Sequence, residues 1–236
     1  MKIDERVLRK QTGLKVSVFD ECDSTFDEIG DLDAIIALSQ KNGKGRGDHQ
    51  FFSPRGGIYI VMRVNGLHID AHTLAPRVGL AAHDAIKTVL GIDTRLKWIN
   101  DIMLNGKKIA GILCKCPRRG EYLIGIGVNY ATNEAELLAA GLQGAGALCA
   151  PSEKATEFTA QLLKRIRRAA IEDFDAARYN ALCVTVGKTV SFMHNGISVR
   201  GYAEAVENDG TLLVRIGTAT VAVDAGEVSV VREVTE

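Results

Sequence analysis

Apolar residues recur at helical spacing in two stretches of the chain. In residues 71–90 the apolar stripe consists of Leu74, Val78, Leu80, Ala81, Ala85, Ile86 and Leu90. This spacing predicts an amphipathic helix that ends at Gly91. The second stretch runs from about residue 153 to residue 183, with apolar positions at intervals of four, and it predicts a further helix with a charged, solvated face.

Shorter apolar runs between turn residues predict strands. Before residue 130 these runs are 34–39, 58–64, 97–98 continuing into 102–104, 108–115 and 122–128. Asn105-Gly106 and residues 118–121 lie between apolar runs and predict hairpin turns. Consecutive hairpins with helices alongside them indicate an α+β fold built on a mixed sheet.

After about residue 184 the pattern changes to short alternating runs. The runs are 189–192, 198–207, 212–216, 219–223 and 228–231, with turn residues at Asn195-Gly196 and 208–210. This pattern predicts a small all-β barrel. We therefore expect two domains, residues 1–184 and residues 185–236.

The composition is that of an ordinary folded protein. Of 236 residues, 46% are hydrophobic and 25% charged, and 29 Lys and Arg balance 29 Asp and Glu. A net charge of zero removes the basic excess that general nucleic-acid binding requires. No apolar run approaches the roughly 20 residues of a membrane span, and the first residues hold no signal core, so we expect a cytoplasmic protein. The five scattered cysteines are expected to be reduced thiols.

Glycines alternate with cations in the segment 40–53. Gly43 and Gly45 flank Lys44, and Arg46 follows, so this loop can present backbone N–H groups and two positive charges to one anion. A flexible surface loop is the alternative interpretation. The segment does not match the P-loop pattern, so a P-loop nucleotidase is not supported.

A second polar cluster surrounds the predicted hairpin at residues 97–113. Asn100 and Asp101 precede one strand, and Lys108 lies beside the apolar residues of the next. A cation against an apolar wall is costly unless an anion pairs with it, so Lys108 indicates an anionic ligand, with Gly111 allowing its close approach. The alternative is that Lys108 belongs to an ordinary charged turn.

Two further segments carry weaker signals. Gly125 and Gly127 share one face of a predicted strand, where the missing side chains open floor space for a ligand, and Asn129 at the strand end can bond to it. The alternative is that these glycines relieve crowding between packed sheets. Asp23-Ser24-Thr25 is equally ambiguous, since it is first of all a helix N-cap signature.

In this order the segments resemble the biotin protein ligase family, and the resemblance covers nearly the whole chain. The matching stretches are Ser24-Thr25-Phe26, Gln40 to Gly57, Lys97 to Leu113, Gly125 to Asn129, and Gly201 to Val231 with its motifs at 208–210 and 225–228. The resemblance implies a class II synthetase-like catalytic domain that binds biotin and ATP, followed by an SH3-like barrel.

The resemblance also implies a two-step reaction. The biotin carboxylate attacks the α-phosphate of ATP, assisted by Mg²⁺, to give biotinyl-5'-AMP, and a lysine of a biotin carboxyl carrier protein or domain then takes the biotin. Biotin binding is implied for Ser24, Thr25, Phe26, Gln40, Lys44, Gly45, Arg46, Lys108 and Gly111. Adenylate binding is implied for Gly43, Arg46, Phe51, Asn100, Lys108 and Asn129. Catalysis is implied for Lys108, Arg46, Lys44 and Asp101, with Asp101 orienting or deprotonating the acceptor lysine. No side-chain cluster is implied for the metal.

Several positions depart from the family pattern. Lys44 replaces an arginine and residues 47–49 replace the Arg-Gly-Arg that often follows it, so we expect weaker retention of biotinyl-AMP than in typical members. Ile99 replaces a proline, Phe26 an asparagine and Lys115 a commonly acidic residue.

The short stretch before Ser24 leaves no room for the helix-turn-helix that some members carry, so we expect a ligase that does not bind DNA. The family includes monomers and dimers, and a homodimer is one of the two expected states. A lipoate ligase is one alternative, although the R-R-x-S-G-G-G segment of that family is absent. A non-catalytic biotin- or nucleotide-binding module is the other, suggested by the altered loop.

Overall fold

The computed structural model describes residues 1–67, 69, 71–194, 196–224, 226 and 228–231. Asn195 of a predicted turn, and Ala225 and Glu227 of the last motif, lie outside these residues.

A seven-stranded mixed sheet forms the larger part of the molecule. Its strands are β1 (Val16–Phe19), β2 (Ala34–Ala37), β3 (Ile58–Asn65), β4 (Arg95–Lys97), β5 (Asp101–Leu104), β6 (Lys107–Arg118) and β7 (Glu121–Val128). They lie in the order β1-β2-β3-β7-β6-β5-β4. Strands β1 and β2 are parallel and every other described pair is antiparallel. The mixed sheet and the tight turns at Asn105-Gly106 and Arg119-Gly120 confirm the sequence prediction.

Helices pack beside this sheet. They are α1 (Glu5–Thr12), α2 (Thr25–Glu28), α3 (Ala71–Leu90), α4 (Glu134–Ala139), α5 (Ala155–Ala169) and α6 (Ala176–Leu182). Helix α3 has the predicted bounds, and it packs against α5 and β6. The prediction of one helix over 153–183 is wrong, because the chain leaves the helix after Ala169 and begins another at Ala176. Asp175 is the N-cap of this second helix, and its carboxylate accepts a hydrogen bond from the Arg178 N–H at 2.9 Å.

The C-terminal part is a separate five-stranded antiparallel sheet. Its strands are β8 (Thr189–His194), β9 (Ile197–Val206), β10 (Leu212–Ile216), β11 (Ala219–Val223) and β12 (Val228–Val230), in the order β11-β10-β9-β8-β12. Each predicted run after residue 184 is observed as a strand, within two residues at its ends. Within the described part of the chain, no helix has the length and apolar character needed to cross a bilayer.

The two sheets are joined through a packed junction. The indole N–H of Trp98 donates to the Gly210 carbonyl at 2.9 Å, and its backbone N–H donates to the Thr185 hydroxyl at 3.1 Å. The Val184 N–H donates to the Leu96 carbonyl at 2.7 Å. One cluster of buried apolar residues runs through both parts. We propose that the predicted boundary at 184/185 divides two structural units that share this core.

Candidate active site

A cleft of roughly 330 Å³ lies over β6 and β7, between α2, the loop 40–53 and the start of β12. Most of the predicted site residues line it: Thr25, Phe26, Gln40, Lys44, Gly45, Arg46, Phe51, Asn100, Asp101, Lys108 and Gly111. Segments far apart in sequence therefore meet at one place, as the order of the motifs predicts.

Three predicted residues are buried beside the cleft and do not line it. Gly43 is a buried residue of the loop itself. Ser24 is the N-cap residue of α2, but its fully buried hydroxyl makes no capping bond and has no hydrogen-bond partner among the described residues. Asn129 donates from Nδ2 to the Gly146 carbonyl at 2.8 Å, while its Oδ1 accepts no hydrogen bond within the described ranges. Ser24 Oγ and Asn129 Oδ1 are therefore buried polar atoms beside the cleft that have no hydrogen-bond partner among the described residues.

Two phenyl rings cover the glycine face of β6 and β7. Gly111 pairs with Gly127, and a Cβ atom on either glycine would lie within 2.8 Å of the Phe51 ring. A Cβ atom on Gly125 would lie 2.5 Å from Cζ of Phe26. The floor space expected from these glycines is therefore occupied by aromatic rings in this structure. Glycine is required there because any larger residue would push the rings away.

Gln40 ties the wall of the cleft together. Its Oε1 accepts hydrogen bonds from both the backbone N–H and the hydroxyl of Thr25, each at 2.8 Å. Its Nε2 donates to the Ser53 hydroxyl at 2.9 Å. These three bonds occupy Oε1 and one N–H of the amide, so Gln40 fixes α2 against both ends of the loop.

The glycine-rich loop folds as a tight hairpin. The Phe51 N–H donates to the Gly43 carbonyl at 2.8 Å, and the Gly45 N–H donates to the His49 carbonyl at 2.8 Å. Lys44 forms an ion pair with Asp27 on α2, with side chains 37% and 49% exposed. The Lys44 charge, expected to face an anion together with Arg46, is paired with a carboxylate here.

Arg46 connects three parts of the molecule. It donates from Nη1 to Oδ1 of Asn100 at 3.4 Å and from Nη2 to the Gly226 carbonyl at 3.1 Å. Val228 and Ser229 line the cleft on the same side. Sequence reasoning missed this contribution of the C-terminal sheet, because small residues near a predicted strand carry no chemical signal of their own.

Lys108 and Asp101 form an ion pair inside the cleft. Lys108 Nζ lies 2.6 Å from Asp101 Oδ1, and their side chains are 35% and 17% exposed. No donor within the described residues is aligned for a hydrogen bond to that Oδ1 atom, so the contact is an ion pair without hydrogen-bond geometry. Lys108 Nζ also lies 5.8 Å from the centroid of the Phe51 ring. Lys108 is therefore the predicted cation beside apolar groups, and its partner in this structure is the carboxylate of Asp101.

A strand irregularity brings Lys108 to the cleft. Residues 108 and 111 are three positions apart, so a regular strand would point them to opposite faces. The pairing of β5 with β6 shifts between Ile102 and Met103, so that Asp101 is opposite Gly111 while Met103 is opposite Lys108. The shift lets Lys108, Gly111 and Asp101 all face the ligand space.

The sequence profile of the Biotin/lipoate A/B protein ligase family matches residues 11–129, half of the chain. This chain belongs to that family. The matched residues include every predicted site residue from Ser24 to Asn129.

Named relatives extend the similarity beyond that region. A biotin--[acetyl-CoA-carboxylase] ligase of Mycobacterium tuberculosis is 28% identical over 214 residues, covering 84% of this chain and 79% of the relative. The bifunctional ligase/repressor BirA of Escherichia coli is 27% identical, covering 89% of this chain and 72% of BirA.

Solved structures of the family share the whole fold. A biotin protein ligase from Aquifex aeolicus, in complex with biotin and ATP, superimposes with a TM-score of 0.79 at 22% identity. The match covers 92% of this chain and 99% of that one. The coverage shows that both sheets belong to the family fold.

Proposed function

We propose that this family member is a biotin protein ligase. It activates biotin with ATP to biotinyl-5'-AMP and transfers biotin to the acceptor lysine of a biotin carboxyl carrier protein or domain of a biotin-dependent carboxylase. The named relatives are biotin ligases, and the Aquifex aeolicus structure holds biotin and ATP, which favours biotin over lipoate. The observation that carries the proposal is the ion pair of Lys108 and Asp101 within the cleft.

The cleft has three chemically different parts that suit the two substrates. Thr25, Gln40 and Phe26 form an uncharged end suited to the neutral ring system of biotin. Lys108 supplies a cation for the biotin carboxylate. Arg46 holds its guanidinium at Asn100 and suits the phosphate of the adenylate.

The remaining predicted residues complete this arrangement. Ser24 and Asn129 lie buried beside the cleft, each with a polar atom that has no hydrogen-bond partner among the described residues, which suits the hydroxyl of Ser24 to the biotin ring and Oδ1 of Asn129 to the nucleotide. Gly43 and Gly45 shape the loop, and Gly111 leaves room for the Phe51 ring and the Lys108 side chain over the strand.

In the first step a carboxylate oxygen bonds to the α-phosphorus and pyrophosphate leaves. Two anions must approach each other, so the positive charges of Lys108 and Arg46 lower the barrier by stabilising the charge that accumulates on the phosphate. The Phe51 ring, which lies on the glycine face of the strands beside Lys108, makes this part of the cleft apolar and helps keep water from the mixed anhydride.

In the second step the acceptor amine attacks the acyl carbon and AMP leaves. The amine must lose a proton, and Asp101 lies beside Lys108 where the acyl phosphate would be held. Asp101 therefore orients the amine and accepts its proton.

The residues present fit Mg²⁺ as a companion of ATP. Among the described residues lining the cleft, Asp101 is the one carboxylate, and the described part of the chain has no cluster of three metal-ligating side chains. Mg²⁺ is commonly held by one or two carboxylates together with substrate phosphates, a pattern that this cleft suits. When bound, the ion would neutralise triphosphate charge. The cytoplasmic location, the homodimer and the lack of DNA binding stay predictions.

The test combines the purified protein with biotin, ATP, Mg²⁺ and a biotin carboxyl carrier domain. Mass spectrometry should find a biotin-sized addition on the carrier lysine. The Lys108→Ala variant should lower the rate by about 100-fold or more. Lys107→Ala is the matched control, because Lys107 pairs with Glu134 at 2.7 Å outside the cleft. Its rate should stay near that of the unmodified protein.

Two results would overturn the proposal. If folded protein adds lipoate to a lipoyl domain and leaves the biotin carrier unmodified, the lipoate ligase alternative is correct. If it binds biotin but modifies neither carrier, the chain is a binding module.

A further inference from the structure

Two residues that depart from the family pattern contact each other. Nζ of Lys115 on β6 lies 4.8 Å from the centroid of the Phe26 ring on α2. The ring packs on Gly125 of β7, where a Cβ atom would come within 2.5 Å of it. The substitutions at 26 and 115 are therefore linked by one cation–π contact, with Gly125 as the surface on which the ring lies.

This ring closes the uncharged end of the cleft. Phe26 directly follows Thr25, which Gln40 fixes by two hydrogen bonds, and Phe26, Gly125 and Leu113 line the same end. Where the family pattern has an amide, this chain has a rigid ring that offers no hydrogen-bonding group. The Phe26 ring is half-buried and packs against the small apolar cluster of Ile29, Ile35, Val61 and Leu123. Held in this way, it has little freedom to withdraw from a larger ligand.

We propose that Phe26, held in place by Lys115, limits the size of the biotin ring system that this ligase accepts. Phe26 determines specificity by contact, and Lys115 is a positioning residue that acts through the ring. The inference rests on the proposed biotin ligase function. It predicts strong discrimination against biotin with a substituent on a ureido nitrogen, the part of the ring system that can bond to Thr25.

The experiment measures kcat/KM for pyrophosphate release with biotin and with two analogues. N-methylbiotin carries a methyl group on a ureido nitrogen, and homobiotin has a side chain that is one methylene longer. In Phe26→Ala the ratio of N-methylbiotin to biotin should rise about tenfold or more, since one methyl group in a tight pocket has an effect of this order. The ratio of homobiotin to biotin should change less than about twofold, because that alteration lies at the Lys108 end.

Lys115 is tested by Lys115→Met, which keeps length and removes charge. We expect a smaller rise of the N-methylbiotin ratio and no further rise when it is added to Phe26→Ala, because both changes act through one ring. Phe26→Leu keeps much of the apolar volume and replaces Phe26→Ala in the test if that variant does not fold. Its N-methylbiotin ratio should lie between those of Phe26→Ala and the unmodified protein.

An unchanged N-methylbiotin ratio in folded, active Phe26 variants overturns the size limit. Equal changes with both analogues also overturn it, since a general loosening of the cleft would produce them. Absence of pyrophosphate release from the unmodified protein with biotin itself would instead contradict the proposed function.

Discussion

Nζ of Lys108 and Oδ1 of Asp101 lie 2.6 Å apart in the cleft, on neighbouring strands. Each charge compensates the other, and removal of one partner would leave a partly buried charge alone. A bound carboxylate would compete with Asp101 for Lys108. The two residues are therefore coupled, but they serve different steps of the proposed reaction.

We expect Asp101→Asn to separate those steps. Lys108 keeps its charge, so formation of biotinyl-AMP, measured as pyrophosphate release without acceptor, should change less than about fivefold. Transfer to the carrier domain should fall by about 100-fold or more, because general base assistance is lost. Single-turnover assays with preformed biotinyl-AMP measure the second step directly. Equal losses in both steps would show that Asp101 acts only through Lys108.

The sequence predicted most of the fold because its signals are local. The strands from Leu212 to Ile216 and from Ala219 to Val223 have the predicted ends, since alternation and turn residues define them within a few positions. The break between Ala169 and Asp175 was missed because Ala170 continues the apolar period of the preceding helix.

The site was less predictable because its geometry depends on distant contacts. The motifs indicated Lys108 and Gly111, but the bulge that turns both toward the cleft results from pairing with β5. The pair of Lys44 with Asp27 brings together two segments whose spacing gives no sign of contact. Nothing local indicates that Arg46 reaches the carbonyl of Gly226, which precedes β12.

The pair of Lys44 and Asp27 should slow the release of biotinyl-AMP. Asp27→Asn removes an ion pair whose side chains are 37% and 49% exposed. Exposed pairs contribute about 0.2–1 kcal/mol, so dissociation of the adenylate should accelerate at most about fivefold. A chase with unlabelled ligand measures this rate. Asp31→Asn is the control, because Asp31 forms a comparable surface pair with Lys15 outside the cleft. A rate unchanged by Asp27→Asn would show that the loop closes without this pair.

Gly43 is expected to tolerate no side chain. A Cβ atom there would lie 2.4 Å from both the Phe51 carbonyl oxygen and the Ser53 hydroxyl. Gly43→Ala should lower the free energy of unfolding by about 1–3 kcal/mol, as overpacking does, and should reduce adenylate formation because the loop moves. Gly144→Ala is the matched control, since no described atom lies within 4 Å of its Cβ position, and it should change stability by less than about 0.5 kcal/mol. Similar effects of both substitutions in chemical denaturation would contradict this account.

Trp98, the one tryptophan of the sequence, reports on the junction between the two sheets. It is 3% exposed, and its indole donates to the carbonyl of Gly210 in the turn between β9 and β10. Because one apolar cluster runs through both sheets, denaturant should unfold them together, and Trp98 fluorescence should change at the same midpoint as far-UV circular dichroism. Trp98→Phe leaves the Gly210 carbonyl without this donor and should cost about 1–3 kcal/mol of stability.

Tyr130→Phe is the comparison for this substitution, since Tyr130 donates to the Pro151 carbonyl at 3.0 Å within the first unit. If both units unfold together, Trp98→Phe and Tyr130→Phe should each lower the midpoint of one single unfolding transition. If Trp98→Phe instead produces two transitions and Tyr130→Phe does not, the indole bond is what couples the sheets. Two separate transitions in the unmodified protein would show that the shared core does not couple them. The ligand cleft, which takes residues from both sides of the junction, could then open without unfolding of either sheet.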